Sequence, residues 1–280
     1  MREVAIIGAG ELGGAVAHEL ARRDIARSIV IVDEHGRVAA GKALDIEQSA
    51  PVEGFATELR GATDLSYAAA ASVVIVADRF RGGEWRGDEG LVLMRRLSQF
   101  AASALVVCGG PDGAALVDIS TRELKVDRAR VIGSAPEALG AAVRAMVALA
   151  TDSAARDVAL TIVGLPPASG IVAWEDATLG GFRLTRVIDE PSRRRIDRAV
   201  PALWPPGPLA LAAAAVKVVA AIGGRSRQLA SCFVAPEPGA RAQRRTVALP
   251  VRLGPAGIAE VVVPELSAGE RVALDNAMLL

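Results

Sequence analysis

Short, continuous apolar runs alternate with longer stretches of helical spacing through the first half of the chain. Residues 4–7 are wholly apolar and lead into Gly8, Gly10 and Gly13, after which the spacing predicts a helix. Ser28–Val32 is a second buried-strand pattern and ends in Asp33. A helical stretch over 37–48 stops before Pro51, and strands follow over 55–60 and 72–77, with a short helix over 65–71 between them. Gly82 and Gly83 then loosen the chain into a loop, and Asp88 is placed to cap a helix reaching residue 103. Further strands are expected over 104–107 and 130–132. Strands alternating with helices predict βαβ units and a parallel sheet, with ligand-bearing loops at the carboxyl ends of the strands.

The pattern changes in the second half. A long helix over 136–150 precedes a strand over 158–163 and a loop rich in glycine and proline. Pro208–Ile222 is an Ala-rich helix interrupted by Lys217 and closed by Gly223 and Gly224. That is too short for a bilayer span and reads as a core helix with a glycine stop. A strand over 229–234 is followed by a hairpin, 246–253 with 258–263, turning at Gly254 and Gly257. Ser267 with Glu270 forms a capping box for a last helix. The fold class expected is therefore α/β: a Rossmann-type domain over 1–133, then an α+β substrate or dimerisation domain over 134–280. The folded pattern starts by Glu3, which leaves no room for a signal peptide.

The glycine turn carries the chemistry. Gly8 permits the sharp bend, Gly10 lets the backbone approach a pyrophosphate, and Gly13 packs helix on strand. Amides near Glu11 and Leu12 would meet the phosphates with the positive end of the helix dipole. Asp33, at the end of the second strand, sits where an acid binds ribose hydroxyls and repels a 2′-phosphate. The ligand expected is a dinucleotide, NAD rather than NADP.

Composition narrows the rest. Apolar residues make up 51% of the 280 and aromatics 3%, so the core is aliphatic. Lys and Arg number 32, as do Asp and Glu, so there is no basic field to attract nucleic acid. Cys108 and Cys232 lie in different halves with no CxxC, and read as buried thiols in a reducing, cytoplasmic setting rather than a disulfide. No metal-ligand spacing is present.

Residues 4–14, Ile31 to Asp33, 41–45, 74–77, 130–133, 174–181, 251–254 and 257–260 together resemble the lactate/malate dehydrogenase family over nearly the whole chain. The resemblance implies a Rossmann half, a mixed catalytic half, and hydride transfer between NAD and a 2-hydroxy acid. It adds Ala77 to the cofactor contacts Gly8, Gly10, Glu11, Leu12, Gly13 and Asp33. Such chemistry uses a His as acid/base, a carboxylate that orients it, an Arg that forks onto the substrate carboxylate, and a second Arg that polarises the carbonyl. Carried onto this chain, the aspartate falls on Leu139, the carboxylate-binding arginine on Ala142 and the histidine on Pro166. The polarising arginine falls on Gly87, with Arg86 one residue short, while Arg81 matches the arginine that reads a second carboxylate in malate-type enzymes. Gly109 and Gly110 replace an Asn-Pro pair, and Trp204 with Pro205, Pro206 and Pro208 replaces a substrate wall.

No catalytic residue is therefore assigned, and Arg81 and Arg86 are candidates to hold a small anion. His18 reads as a packed or surface helix residue and His35 as an adenosine-side neighbour. Asp112 and Asp118 read as turn acids, and Glu175 and Asp176 as first-turn helix acids. Two functions follow: an NAD-binding relative without dehydrogenase activity, acting as a sensor or partner subunit, or an active oxidoreductase on the CH–OH group of another 2-hydroxy acid-like substrate. Relatives associate, and small residues over 209–222 allow close helix approach, so a homodimer or homotetramer is expected.

Overall fold

The computed structural model describes residues 1–237 and 245–279. Six parallel strands, β1 (Glu3–Ile7), β2 (Ser28–Val32), β3 (Glu58–Ala62), β4 (Val73–Val76), β5 (Leu105–Cys108) and β6 (Val131–Gly133), lie in the order β3-β2-β1-β4-β5-β6. Their Val and Ile side chains are buried on both faces, as a parallel sheet requires. Helices α1 (Glu11–Arg22) and α2 (Gly36–Glu53) cover one face; α3 (Gly87–Phe100) and α4 (Gly113–Arg122) cover the other. Strand order reverses between β1 and β4, so their carboxyl ends frame the crevice where such sheets bind ligands.

The chain continues through α5 (Ala135–Thr151), β7 (Val158–Ala159), β8 (Ile162–Leu165), β9 (Ser169–Val172), β10 (Thr178–Leu179), β11 (Phe182–Arg183) and α6 (Glu190–Ala199). Then come α7 (Pro208–Ile222), β12 (Ala230–Val234), β13 (Val247–Gly254), β14 (Gly257–Val261) and α8 (Ala268–Leu279). The sheet does not stop at β6. Gly133 pairs with Phe233 of β12, and antiparallel pairing carries the sheet on through β13, β8 and β9, with β14 on β13. A Cβ at Gly133 would crowd the Phe233 ring, which is why the junction takes a glycine. A second sheet, β11-β10-β7, closes a separate aliphatic core around Leu139, Val143, Ile162 and Leu184.

Several expected boundaries moved. Helix α2 runs through Pro51 to Glu53, because a proline in the last turn forfeits one amide bond and Gly54, at φ +80°, still caps Ala50. Strand β3 begins at Glu58, where parallel register with Ser28 starts it, rather than at 55. Residues 65–68 form a single 3₁₀ turn capped by Asp64. Asp88 lies inside the first turn of α3, with Arg86 at the cap. The strand expected over 158–163 is divided between β7 and β8, which belong to different sheets. Helices α4 and α6 were not expected: α6 buries only Ile196, while α4, which buries Leu116 and Val117, follows a glycine-rich turn that reads as loop. The capping box is formed: the Ser267 amide donates to Glu270 at 2.6 Å and the Glu270 amide to Ser267 Oγ at 3.3 Å. Helix α7 is buried against α1 and α5, so its small residues serve packing within the chain. Among the described residues no single helix is long and apolar enough to cross a bilayer.

Candidate functional site

Gly8, at φ +115°, turns the chain at the end of β1, and its amide donates to the Val32 carbonyl at 2.8 Å. Helix α1 then starts at Glu11 with Gly10 as its cap, so no side chain of its own can satisfy the first amides. The acid that does so comes from the end of β4. Asp78 Oδ2 accepts the Glu11 amide at 3.0 Å and Oδ1 accepts the Gly13 amide at 3.1 Å. The Asp78 carbonyl accepts the Gly10 amide at 2.9 Å. A Cβ on Gly10 would collide with the Asp78 carboxyl group, so the close approach that this glycine permits is used by a side chain of the same chain. Leu12 and Ala77 are buried beneath, and the Ala77 carbonyl accepts the Trp85 indole at 3.1 Å.

Asp33 stands where its position in the sequence places it, at the end of β2, but its side chain is wholly buried. Oδ2 accepts the amides of Ala9 at 2.8 Å and Phe80 at 3.0 Å, and Oδ1 accepts that of His35 at 2.9 Å. Burial pushes its pKa up, yet the three amides and the His35 ring outweigh that and hold the carboxyl below its ordinary value. The rings of His35 and Phe80 meet edge to face at 5.4 Å over it.

The loop from Asp78 to Gly87 lies across the crevice. Arg79 stacks on Trp85 at 4.5 Å, pairs with Glu89 at 2.7 Å, and its amide bonds the Gly83 carbonyl at 2.8 Å. Glu84 turns inward against Gly110 and accepts the Asp112 amide at 3.0 Å. Burial, with help from the Asp112 and Asp78 carboxylates, raises its pKa from 4.5 to about 7, against the pull of the Asp112 amide and Arg86. Of the two anion candidates, Arg86 is paired to Asp112, and Arg81 lies exposed over the Phe80 ring at 5.2 Å.

In the second half, Pro166 occupies the tight turn between β8 and β9, Leu139 is fully buried, and Ala142 is half-buried on α5. His18 pairs with Glu53 at 2.8 Å on the surface. Asp112 stands at the N-cap position of α4 without a side-chain capping bond, its carboxylate paired to Arg86, while Asp118 accepts Thr246 and Arg122 farther along that helix. Glu175 and Asp176 begin no helix; Asp176 instead accepts the Glu265 amide at 2.8 Å. Among the described residues no cluster of His, Cys, Asp and Glu could hold a metal. Burial pushes the Cys108 thiol up to about 12 and the Cys232 thiol higher still, so both stay protonated.

Sequence reasoning stopped at Ala77 and so missed Asp78, Phe80 and Glu84. An acid directly after the fully apolar β4, in register with the glycine turn, was the available signal. A dinucleotide rests its pyrophosphate on the first amides of α1 and its ribose hydroxyls on the acid after β2. Here Asp78 holds the first place and the Phe80 and His35 amides hold the second, so in this conformation the residues present do not fit that group.

Comparison with known proteins agrees with this architecture. Residues 2–89 match the family model for the lactate/malate dehydrogenase NAD-binding domain. The malate dehydrogenase of Salinibacter ruber is 25% identical over 300 residues, covering 98% of this chain and 93% of the relative. Its crystal structure superposes with a TM-score of 0.88 at 23% identity, over 98% of this chain and 93% of that one. The lactate dehydrogenase of Cryptosporidium parvum, complexed with lactic acid and NAD, gives 0.87 at 20% identity, over 99% and 94%.

Proposed function

The chain belongs to the lactate/malate dehydrogenase family, and from that premise we propose that it is a non-catalytic member, lacking lactate and malate dehydrogenase activity. The observation that carries this reading is that no proton acceptor stands where family likeness puts one. Pro166 has nothing to titrate, and the wholly buried Leu139 makes the site of its orienting acid apolar. Ala142 offers no guanidinium to a substrate carboxylate, and neither histidine is near: His18 is tied to Glu53 and His35 lies over Asp33. Removing an acid/base group alone costs about 10²–10⁴ in rate. Losing the substrate anchor forfeits orientation besides. NAD, the family's cofactor, would contact Gly8, Gly10, Glu11, Leu12, Gly13, Asp33 and Ala77 only after Asp78 and Phe80 withdraw. Arg81 is the better anion candidate, since Asp112 engages Arg86. The protein acts in the cytoplasm as a homodimer or homotetramer; light scattering reporting a monomer at micromolar concentration would contradict the assembly.

The test is absorbance of NADH during incubation with a panel of 2-hydroxy and 2-oxo acids. No turnover of lactate or malate is expected, and robust turnover would overturn the reading. A second reading, an active oxidoreductase on another CH–OH substrate, draws support from Glu84. Its carboxyl has a pKa of about 7 and sits near the carboxyl ends of β4 and β5, where a general base belongs. Turnover of any panel member that Glu84→Gln abolishes would favour it.

A further inference from the structure

We propose that residues 78–80 form a built-in strap that occupies both anchor points of the dinucleotide site, so that the chain excludes NAD until Asp78 is displaced. Three observations converge on these residues. The Asp78 carboxylate makes two hydrogen bonds at the start of α1, to the amides of Glu11 and Gly13, so it takes one of the two amides expected to meet a pyrophosphate and brackets the other, that of Leu12. The Phe80 amide is bonded to Asp33 Oδ2, and the Phe80 ring with His35 seals that carboxylate from ribose hydroxyls. Between them, Arg79 is clamped to Trp85, Glu89 and the Gly83 backbone, which holds the whole segment down.

The charges point the same way. A carboxylate at a helix N-terminus is held by the same dipole that would hold a phosphate, and it is present at the effective concentration of its own chain. Of the acids near these amides, Asp112 is paired with Arg86, which leaves the Asp78 carboxylate as the charge bonded to them. The Lys42 ammonium is bonded to the Gly10 carbonyl, and it keeps its charge and two further donors beside the glycine turn. A ligand that needs the open site sees its affinity reduced by the fraction of molecules in which the strap is lifted. The strap concerns binding, and turnover plays no part in it, so it stands or falls separately from the missing acid/base chemistry.

Fluorescence titration of NADH into the purified full chain tests this, comparing wild type with Asp78→Gly and Asp78→Asn, each checked for a native melt. Asp78→Gly should tighten NADH at least ~10-fold by opening the amides, and Asp78→Asn, which keeps one acceptor oxygen and loses the charge, should fall between. Hydrogen exchange supplies the second readout. The Glu11 and Gly13 amides should be protected in wild type without ligand, exposed in Asp78→Gly, and protected again on adding NADH. Wild-type binding within threefold of both variants, or folded variants that gain no binding, would overturn the strap.

Discussion

At the scale of single residues, Glu84 shows how far a local environment moves a group from its ordinary chemistry. Folding carries its pKa from 4.5 to about 7, chiefly through burial, with two neighbouring carboxylates adding to it. An acid whose folded pKa is raised binds more protons when folded, so its contribution favours the folded state below about 4.5 and is lost as pH rises through about 7. Allowing for solvent at the mouth of the crevice, the change is on the order of 2 kcal/mol. Thermal melts of wild type should therefore decline between pH 5 and pH 8 relative to Glu84→Gln, and the variant should be the more stable at pH 8. Parallel pH profiles for the two proteins would refute this. Asp33 works in the opposite sense, since its lowered pKa places its pH-dependent contribution below the ordinary carboxylate range.

At the scale of elements, one buried acid ties three of them together. Glu137, near the start of α5, has a side chain only 4% exposed. Its Oε1 accepts Arg144 of the same helix and Lys217 of α7, each at 2.7 Å, while Oε2 accepts the Ser231 amide of β12 at 2.9 Å. Removing the carboxylate strands two partly buried cations and a buried amide. Glu137→Ala should cost about 3 kcal/mol, the lower end of what breaking a buried pair costs, because both cations can turn toward solvent. Glu137→Gln, which can still accept the Ser231 amide, should cost less. Urea denaturation measures both, and an alanine variant as stable as wild type would show that the α5–α7–β12 junction is held by apolar packing alone. Periodicity placed these three elements, but nothing in it marked Glu137, because an acid one turn into a helix reads as an ordinary dipole partner.

At the scale of the whole molecule, the parallel and antiparallel halves share one sheet across the Gly133–Phe233 pair, and one aliphatic cluster runs from Val4 on β1 to Val251 on β13. Cutting such a core at residue 133 would expose apolar surface on both sides. Calorimetry should accordingly show one cooperative unfolding transition, with the van't Hoff enthalpy matching the calorimetric value. Two resolved transitions would show that the halves fold independently.

Local pattern alone was enough for the strands of the parallel sheet other than the bounds of β3, for α1, α5 and α7, for the glycine turn, and for the acid at the end of β2. Each of these follows from interactions within a few residues: unbroken apolar runs, helical spacing, and a glycine where a side chain would collide. The same reading shows that Pro166, Leu139 and Ala142 carry no titratable group. It did not reveal the division of 158–163 between two sheets, the helices α4 and α6, or the extension of the sheet past β6. The two sheet features depend on which strand finds which neighbour, and pairing partners far apart in sequence leave no local signature. The crevice followed the same rule. Gly10 and Asp33 announce a dinucleotide, but residues 78–80 come to lie on both only because β4 packs beside β1, and that adjacency turns a binding motif into one that binds its own chain.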